Sequence, residues 1–159
     1  MTRFNQALPC LLVLLAGCAT APNPRMEDNT QQKAQLRHVL DEIVDACEKK
    51  DLDRLDRQHL YGASFTKFDS ASPTRWDASA ARQGEHRGLS AANDLHMRMD
   101  DLNIQVFGHT GICTFILAYS FKSGAETVQK QTRATLVFVR DHGAWKIVHE
   151  HLSSIAPVP

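Results

Sequence analysis

Apolar residues recur at two different periods along this chain, and the change of period divides it. From Gln32 to Lys50, Leu36, Val39, Leu40, Ile43 and Cys47 follow helical spacing with polar residues opposite, which predicts an amphipathic helix that must pack on a partner surface. Asp51 is placed to N-cap a second, short helix carrying Leu52 and Leu55. A strand is expected around Ala63 to Phe68, bounded by Gly62 and the Asp69-Ser70 turn signal. Ser70 to Gly84 is rich in Ser, Ala, Pro and Gly and reads as a loop, from which the lone Trp76 should fold back onto the body. Ser90 then caps a predicted third helix with Ala92, Leu95, Met99 and Leu102 along one face, ending near Asp101.

From Leu102 onward the period is two. Strands are predicted at Asn103 to Phe107, Ile112 to Lys122, Gln131 to Arg140 and Trp145 to Ser153, joined by turns at His109-Thr110-Gly111, Ser123-Gly124 and Asp141-His142-Gly143. Helices first and a hairpin-linked meander after them predict an α+β domain, with three helices from the N-terminal half laid on one face of a curved antiparallel sheet.

The N-terminus follows neither period. Residues 1–17 read as an export signal, with Arg3 the only charge, an apolar stretch from Ala7 to Leu15, and small residues before Cys18. The apolar stretch is much shorter than the roughly 20 residues that span a bilayer. Leu15-Ala16-Gly17-Cys18 resembles the lipobox of bacterial lipoproteins, in which signal peptidase II cuts before a lipid-bearing cysteine. The resemblance implies palmitate-type acylation, a diacylglycerol on Cys18 and a bilayer as first partner. Ala19 in place of the Asp of inner-membrane members implies the outer membrane, facing the periplasm. The other readings are a secretory signal cut near Ala19 or Ala21, or an uncleaved anchor. Residues 18–30, polar with two prolines, form the expected tether, and residues 31–156 the folded domain.

Eighteen basic and eighteen acidic residues balance in the full chain, and loss of Arg3 with the signal leaves −1, so nothing attracts nucleic acid. Cys47 and Cys113 remain in a compartment that permits disulfides. Either they bridge a helix to a strand or they pack as two buried free thiols.

The C-terminal run Arg133-Ala134-Thr135, the Gly143-Ala144-Trp145 turn and His151-Leu152-Ser153 are similar to the closing hairpin of the SnoaL-like branch of the nuclear-transport-factor-2-like superfamily. The order of elements resembles that family over about residues 31 to 156, except that Lys50-Asp51 stands where members usually carry a Gly-Asp turn. The resemblance implies a cone-shaped domain with a pocket between helices and concave sheet, commonly homodimeric through the sheet. Its members include polyketide cyclases, ketosteroid isomerases, dehydratases, a kinase association domain and plain binding proteins, so fold alone does not name a reaction.

Strict alternation on the last strand puts Trp145, Ile147, His149, His151 and Ser153 on one face, and Lys146, Val148, Glu150 and Leu152 on the other. His149 and His151 are candidate acid-base groups, or else they satisfy core or subunit contacts. Arg133 and Glu150 share the second face and are expected to pair, while Arg133 could instead hold a ligand carboxylate. Tyr119 stands with Phe115, Leu117 and Phe121 on one face of the long middle strand, an apolar set that suits the inner wall. Tyr119, Arg133, His149 and His151 are thus the candidate ligand-binding set.

Zinc at His149 and His151 lacks converging ligands in sequence, so no metal and no cofactor is expected. No phosphate loop, nucleophile elbow, dinucleotide fingerprint or EF-hand spacing occurs. Aspartates cluster at helix ends and turns, against the acidic base of ketosteroid isomerases. The leading expectation is a small-molecule-binding lipoprotein. A cofactor-independent lyase, cyclase or isomerase and an envelope interaction module are the alternatives.

Overall fold

The computed structural model describes residues 29–155; the signal, Cys18 and all but the end of the tether lie outside them. Helix α1 (Thr30–Lys49) buries Leu36, Leu40, Ala46 and Cys47 along one face. It ends at Lys50, whose backbone takes the left-handed conformation (φ 57°) and returns its amide to the Ala46 and Cys47 carbonyls. This is the usual role of a helix-terminating glycine. Asp51 caps α2 (Leu52–Asp56) by accepting from the Arg54 amide.

Strand β1 (Thr66–Asp69) leads through a turn to Trp76 and then to α3 (Ala78–Ala91), capped by Asp77. Four long or medium strands follow: β2 (Asn93–Phe107), β3 (Thr110–Ser123), β4 (Glu126–Asp141) and β5 (Ala144–Ser154). The sheet order is β1-β5-β4-β3-β2, antiparallel except where β1 lies parallel to β5.

The expected third helix is a correction. Residues 93–107 are strand, and the helix lies upstream at 78–91, inside and beyond the stretch read as a loop. The β2–β3 register slips between Asp100 and Asn103, with Asp101 at φ 50°. Inward positions 95, 97 and 99 therefore give way to 102, 104 and 106, and sampling them at 95, 99, 102 and 106 imitates helical spacing. Meanwhile the Ala-, Ser- and Gly-rich α3 buries only Ala81, so it carries little apolar signature.

The same device corrects the last strand. Val137 pairs with His149 but Phe138 pairs with Ile147, leaving Val148 as an extra residue. Downstream of this bulge the parity reverses: Trp145 and Ile147 face the core, and so do Glu150 and Leu152, whereas His149, His151 and Ser153 face outward. Cys47 and Cys113 are both buried and free, so no disulfide joins α1 to β3.

Leu36, Leu40, Phe65, Phe138, Trp145 and Ile147 fill the packed end of the core. Gly111 belongs to this packing, since a Cβ there would lie 2.6 Å from Leu36 Cδ1.

Candidate functional site: a cavity with a charged floor

Between the helices and the concave side of the sheet lies a cavity of about 530 Å³. Its walls are chiefly apolar, built by Leu40, Ile43 and Val44 of α1, Leu95, Met97 and Met99 of β2, and Phe115, Leu117 and Phe121 of β3. Trp76 closes one side by lying on α3 at Gly84, where no Cβ could fit: it would meet the ring at 2.5 Å. Tyr119 and Lys130 line both the cavity and a wider open trough of about 800 Å³.

Five charged residues line this cavity: Asp69 and Lys130 lie farther along its wall, and Lys67 from β1, Glu85 from α3 and Glu150 from β5 meet at its floor. The register aligns two of them, because Lys67 pairs directly with Glu150 across the parallel strands. Lys67 Nζ lies 2.7 Å from Glu85 Oε1 and 2.6 Å from Glu150 Oε2. His59 stands behind them. Its neighbours hold it there: the Leu60 amide donates to the Ile147 carbonyl at 2.8 Å, and the Ile147 amide to Gln58 at 2.9 Å. His59 Nε2 is 3.1 Å from Glu150 Oε1 and 3.9 Å from Glu85 Oε2. Tyr61 donates its hydroxyl to Glu85 Oε2 at 2.8 Å and stacks on the His59 ring.

These side chains are 1% (His59), 4% (Lys67), 8% (Glu150) and 12% (Glu85) exposed, so none can rely on water for solvation. A lone charge so placed would cost several kcal/mol, and mutual pairing offsets that cost. Protonation follows from the geometry. His59 Nδ1 donates to the Leu55 carbonyl at 3.0 Å, which can only accept, so a second proton on Nε2 makes the ring an imidazolium facing Glu150.

Burial alone would lower the affinity of His59 for a proton, but the hydrogen bond and charge of Glu150, with Glu85 beside it, raise it above its ordinary value. Burial likewise opposes charge on Lys67, and the same two carboxylates hold its ammonium well above the usual range. Glu150 is pulled well below the carboxylate range, because Lys67 and His59 outweigh its desolvation. Glu85 moves the other way, raised by burial and then by the charge of Glu150. Two carboxylates that share one ammonium are thereby pushed apart in acidity. Burial pushes the Cys47 thiol, on the cavity wall, and the Cys113 thiol each up to about 12.

The donor atoms of His59, Glu85 and Glu150 lie within 4.8 Å of one another, close enough to ligate one metal ion. A metal would have to displace the Lys67 ammonium, which already bridges the two carboxylates as a resident cation.

Of the residues expected from sequence, the structure brings only Tyr119 to the cavity. Arg133 is exposed on the outer face opposite Ser153, and it forms no ion pair with Glu150, whose oxygens go to His59 and Lys67. His149 turns outward to a 2.8 Å hydrogen bond with Thr66 Oγ1. His151 is exposed beside Phe68, their ring centroids 5.9 Å apart.

Sequence reasoning passed over His59, Tyr61, Lys67 and Glu85. One signal was available: Lys67 shares its strand parity with the apolar Phe65, and a charge at a core position must find an opposite charge. Glu85 gave none, being in a segment that did not read as a helix.

The sequence matches the SnoaL-like domain family over residues 36–158. No curated protein matches at a significant level. Among solved structures, an NTF2-like superfamily protein from Salmonella enterica serovar Typhimurium superposes with TM-score 0.72 at 14% identity, over 82% of this chain and 96% of that one. An NTF2-like protein of unknown function from Pseudomonas putida gives 0.70 at 14% identity, over 82% and 97%. The association domain of C. elegans CaMKII gives 0.66 at 22% identity, over 79% and 98%. These likenesses show a shared cone-shaped α+β fold, and the family match over most of the chain decides the assignment: this protein belongs to the SnoaL-like domain family.

Proposed function

We propose that the protein is a lipid-anchored receptor of the cell envelope, facing the periplasm, that holds a small, largely apolar molecule in the cone. The observation that carries this reading is the 530 Å³ cavity with apolar walls and a charged floor. Ligand sites are typically concave, mostly apolar and furnished with few polar groups, at about 300–1,000 Å³. The anchor rests on the Leu15-Ala16-Gly17-Cys18 motif. A second copy of the chain is the partner proposed for the outer sheet face, where Phe68 is 43% exposed among His149 and His151.

Two measurements test the reading. The full chain, extracted from membranes into amphipol, should change its Trp76 emission and gain thermal stability with a member of an apolar metabolite set; a set without effect on either overturns the binding function. Cys18→Ser in the full chain should abolish palmitate incorporation and release the protein from the membrane fraction. Incorporation that persists in that variant removes the anchor from the proposal.

Acid-base catalysis of lyase, cyclase or isomerase type is the second reading, favoured by the opposite shifts of Glu85 and Glu150 at the cavity floor. It would then run through those carboxylates and not through His149 or His151, which face away.

A further inference from the structure

The cavity floor leaves two groups short of hydrogen-bond partners: the ammonium of Lys67 has a donor over, and Glu150 Oε2 lies in ion contact with that ammonium but accepts no hydrogen bond. Glu85 accepts from Lys67 at Oε1 and from Tyr61 at Oε2. Glu150 meets His59 at Oε1 and Lys67 at Oε2. Lys67, however, carries three N–H donors. One is donated to Glu85 Oε1 and the ammonium lies 2.6 Å from Glu150 Oε2, and among the described residues no third acceptor lies within reach of Nζ, although the side chain is 4% exposed and lines the cavity.

Charge restricts what can take that donor. Two carboxylates face an ammonium and an imidazolium, so the floor is balanced as it stands. A ligand carboxylate would bring a third negative charge against Glu85 and Glu150 in a region with little water to screen it. A ligand ammonium would bring a third positive charge against Lys67 and His59 in the same poorly screened region. An uncharged oxygen acceptor satisfies the donor and leaves the balance untouched.

Resting on the small-molecule reading above, we propose that the floor is a subsite for one uncharged carbonyl oxygen, of a ketone or ester, at the buried end of an otherwise apolar ligand, with Lys67 Nζ as its donor. This narrows the ligand class at the buried end, where neither a carboxylate nor an amine would be seated.

The test is a matched series, octane, 2-octanone, octanoate and octylamine, titrated at neutral pH against the full chain in amphipol with Trp76 emission as the readout. A hydrogen bond from a charged donor predicts that 2-octanone binds at least about tenfold tighter than octane, with octanoate and octylamine both weaker than the ketone. Lys67→Met should remove the ketone's advantage and leave octane binding in place.

Because Lys67→Met can unfold the protein by stranding two carboxylates, a measurement on the unmodified chain accompanies it: the infrared carbonyl stretch of bound 2-octanone should fall below its frequency in an alkane solvent. Octanoate binding as tightly as the ketone, an unshifted stretch, or a folded Lys67→Met that keeps the preference would each overturn the subsite. Octane and 2-octanone binding equally would also overturn it while leaving the receptor reading intact. If no member of the series binds, both fall together.

Discussion

Two sets of polar side chains lie on opposite sides of the sheet, and they differ in almost every physical respect. On the inner face, His59, Lys67, Glu85 and Glu150 are buried, mutually bonded and shifted in acidity. On the outer face, Arg133, His149 and His151 are exposed or half-exposed, and among the described residues their only side-chain hydrogen bond is that of His149 with Thr66. A single extra residue, Val148, decides which of the two sets on β5 faces inward. The charges that must carry their own solvation are those that shape the cavity. The histidines that look catalytic in the sequence are solvated bystanders of that chemistry.

The contrast is broken most severely at Glu150. Glu150→Ala leaves the Lys67 ammonium with one carboxylate and the His59 imidazolium with none in hydrogen-bond range, and unpaired buried charges of this kind cost about 3–5 kcal/mol. Urea unfolding of the variant should show that loss, or no cooperative transition at all. A cost below about 1 kcal/mol would mean that water reaches the floor freely, and the inner and outer sets would then be energetically alike.

How much of this was legible in the sequence depends on regularity. Helix α1 and strands β3 to β5 were readable because long uninterrupted periods survive without tertiary information. Lys50 could be flagged as a departure from a Gly-Asp turn, and the structure shows its consequence, a lysine at φ 57°. Both serious misreadings came from one-residue bulges, at Asp101 and Val148, which invert parity without leaving a residue type that announces them. The cavity floor was hidden for a different reason. Its members come from the segment after α2, from β1, α3 and β5, and the parallel β1–β5 pairing that unites Lys67 with Glu150 spans most of the domain.

A second prediction uses pH. His59 holds its proton more tightly folded than unfolded, so it contributes stability fully below about pH 6.5, its ordinary value, and that contribution is lost as pH rises through the raised folded value. Glu150 behaves oppositely, stabilising above about pH 4.5 and losing that contribution as pH falls toward its depressed folded value. Glu85, raised by burial, takes stability away above about pH 4.5. Unfolding free energy measured from pH 6 to 9 should therefore decline, and His59→Gln should flatten the part of the decline that begins near pH 6.5. An equal slope in wild type and variant would show that the ring is neutral and that the imidazolium assignment is wrong.

A third prediction acts on the cavity wall without touching a charge. Gly84→Ala gains about 1 kcal/mol of helix propensity in α3. Its Cβ would nevertheless lie 2.5 Å from the Trp76 ring, which must move. Overpacking of this kind costs about 1–3 kcal/mol, so the net loss should be about 1 kcal/mol, with a shifted Trp76 emission maximum. Unchanged emission together with higher stability would show that Trp76 already swings clear of α3, and the cavity would be open on that side.

The smallest effect is expected on the other face, and it sharpens the comparison most. His151→Ala removes an exposed imidazole that lies beside the tilted ring of Phe68. For an isolated domain the change should stay within about 0.5 kcal/mol, as for other exposed positions, and should leave ligand affinity in the cone unaltered. Both are measurable on one sample, by urea unfolding and by titration of Trp76 emission. The concentration dependence of unfolding decides between two meanings of a larger loss. If stability falls by 1 kcal/mol or more and the loss grows with protein concentration, the His149–His151–Phe68 face is buried against a second copy of the chain. If it falls equally at all concentrations, the outer set is structural, and the division between a bonded inner face and a solvated outer face fails at that residue.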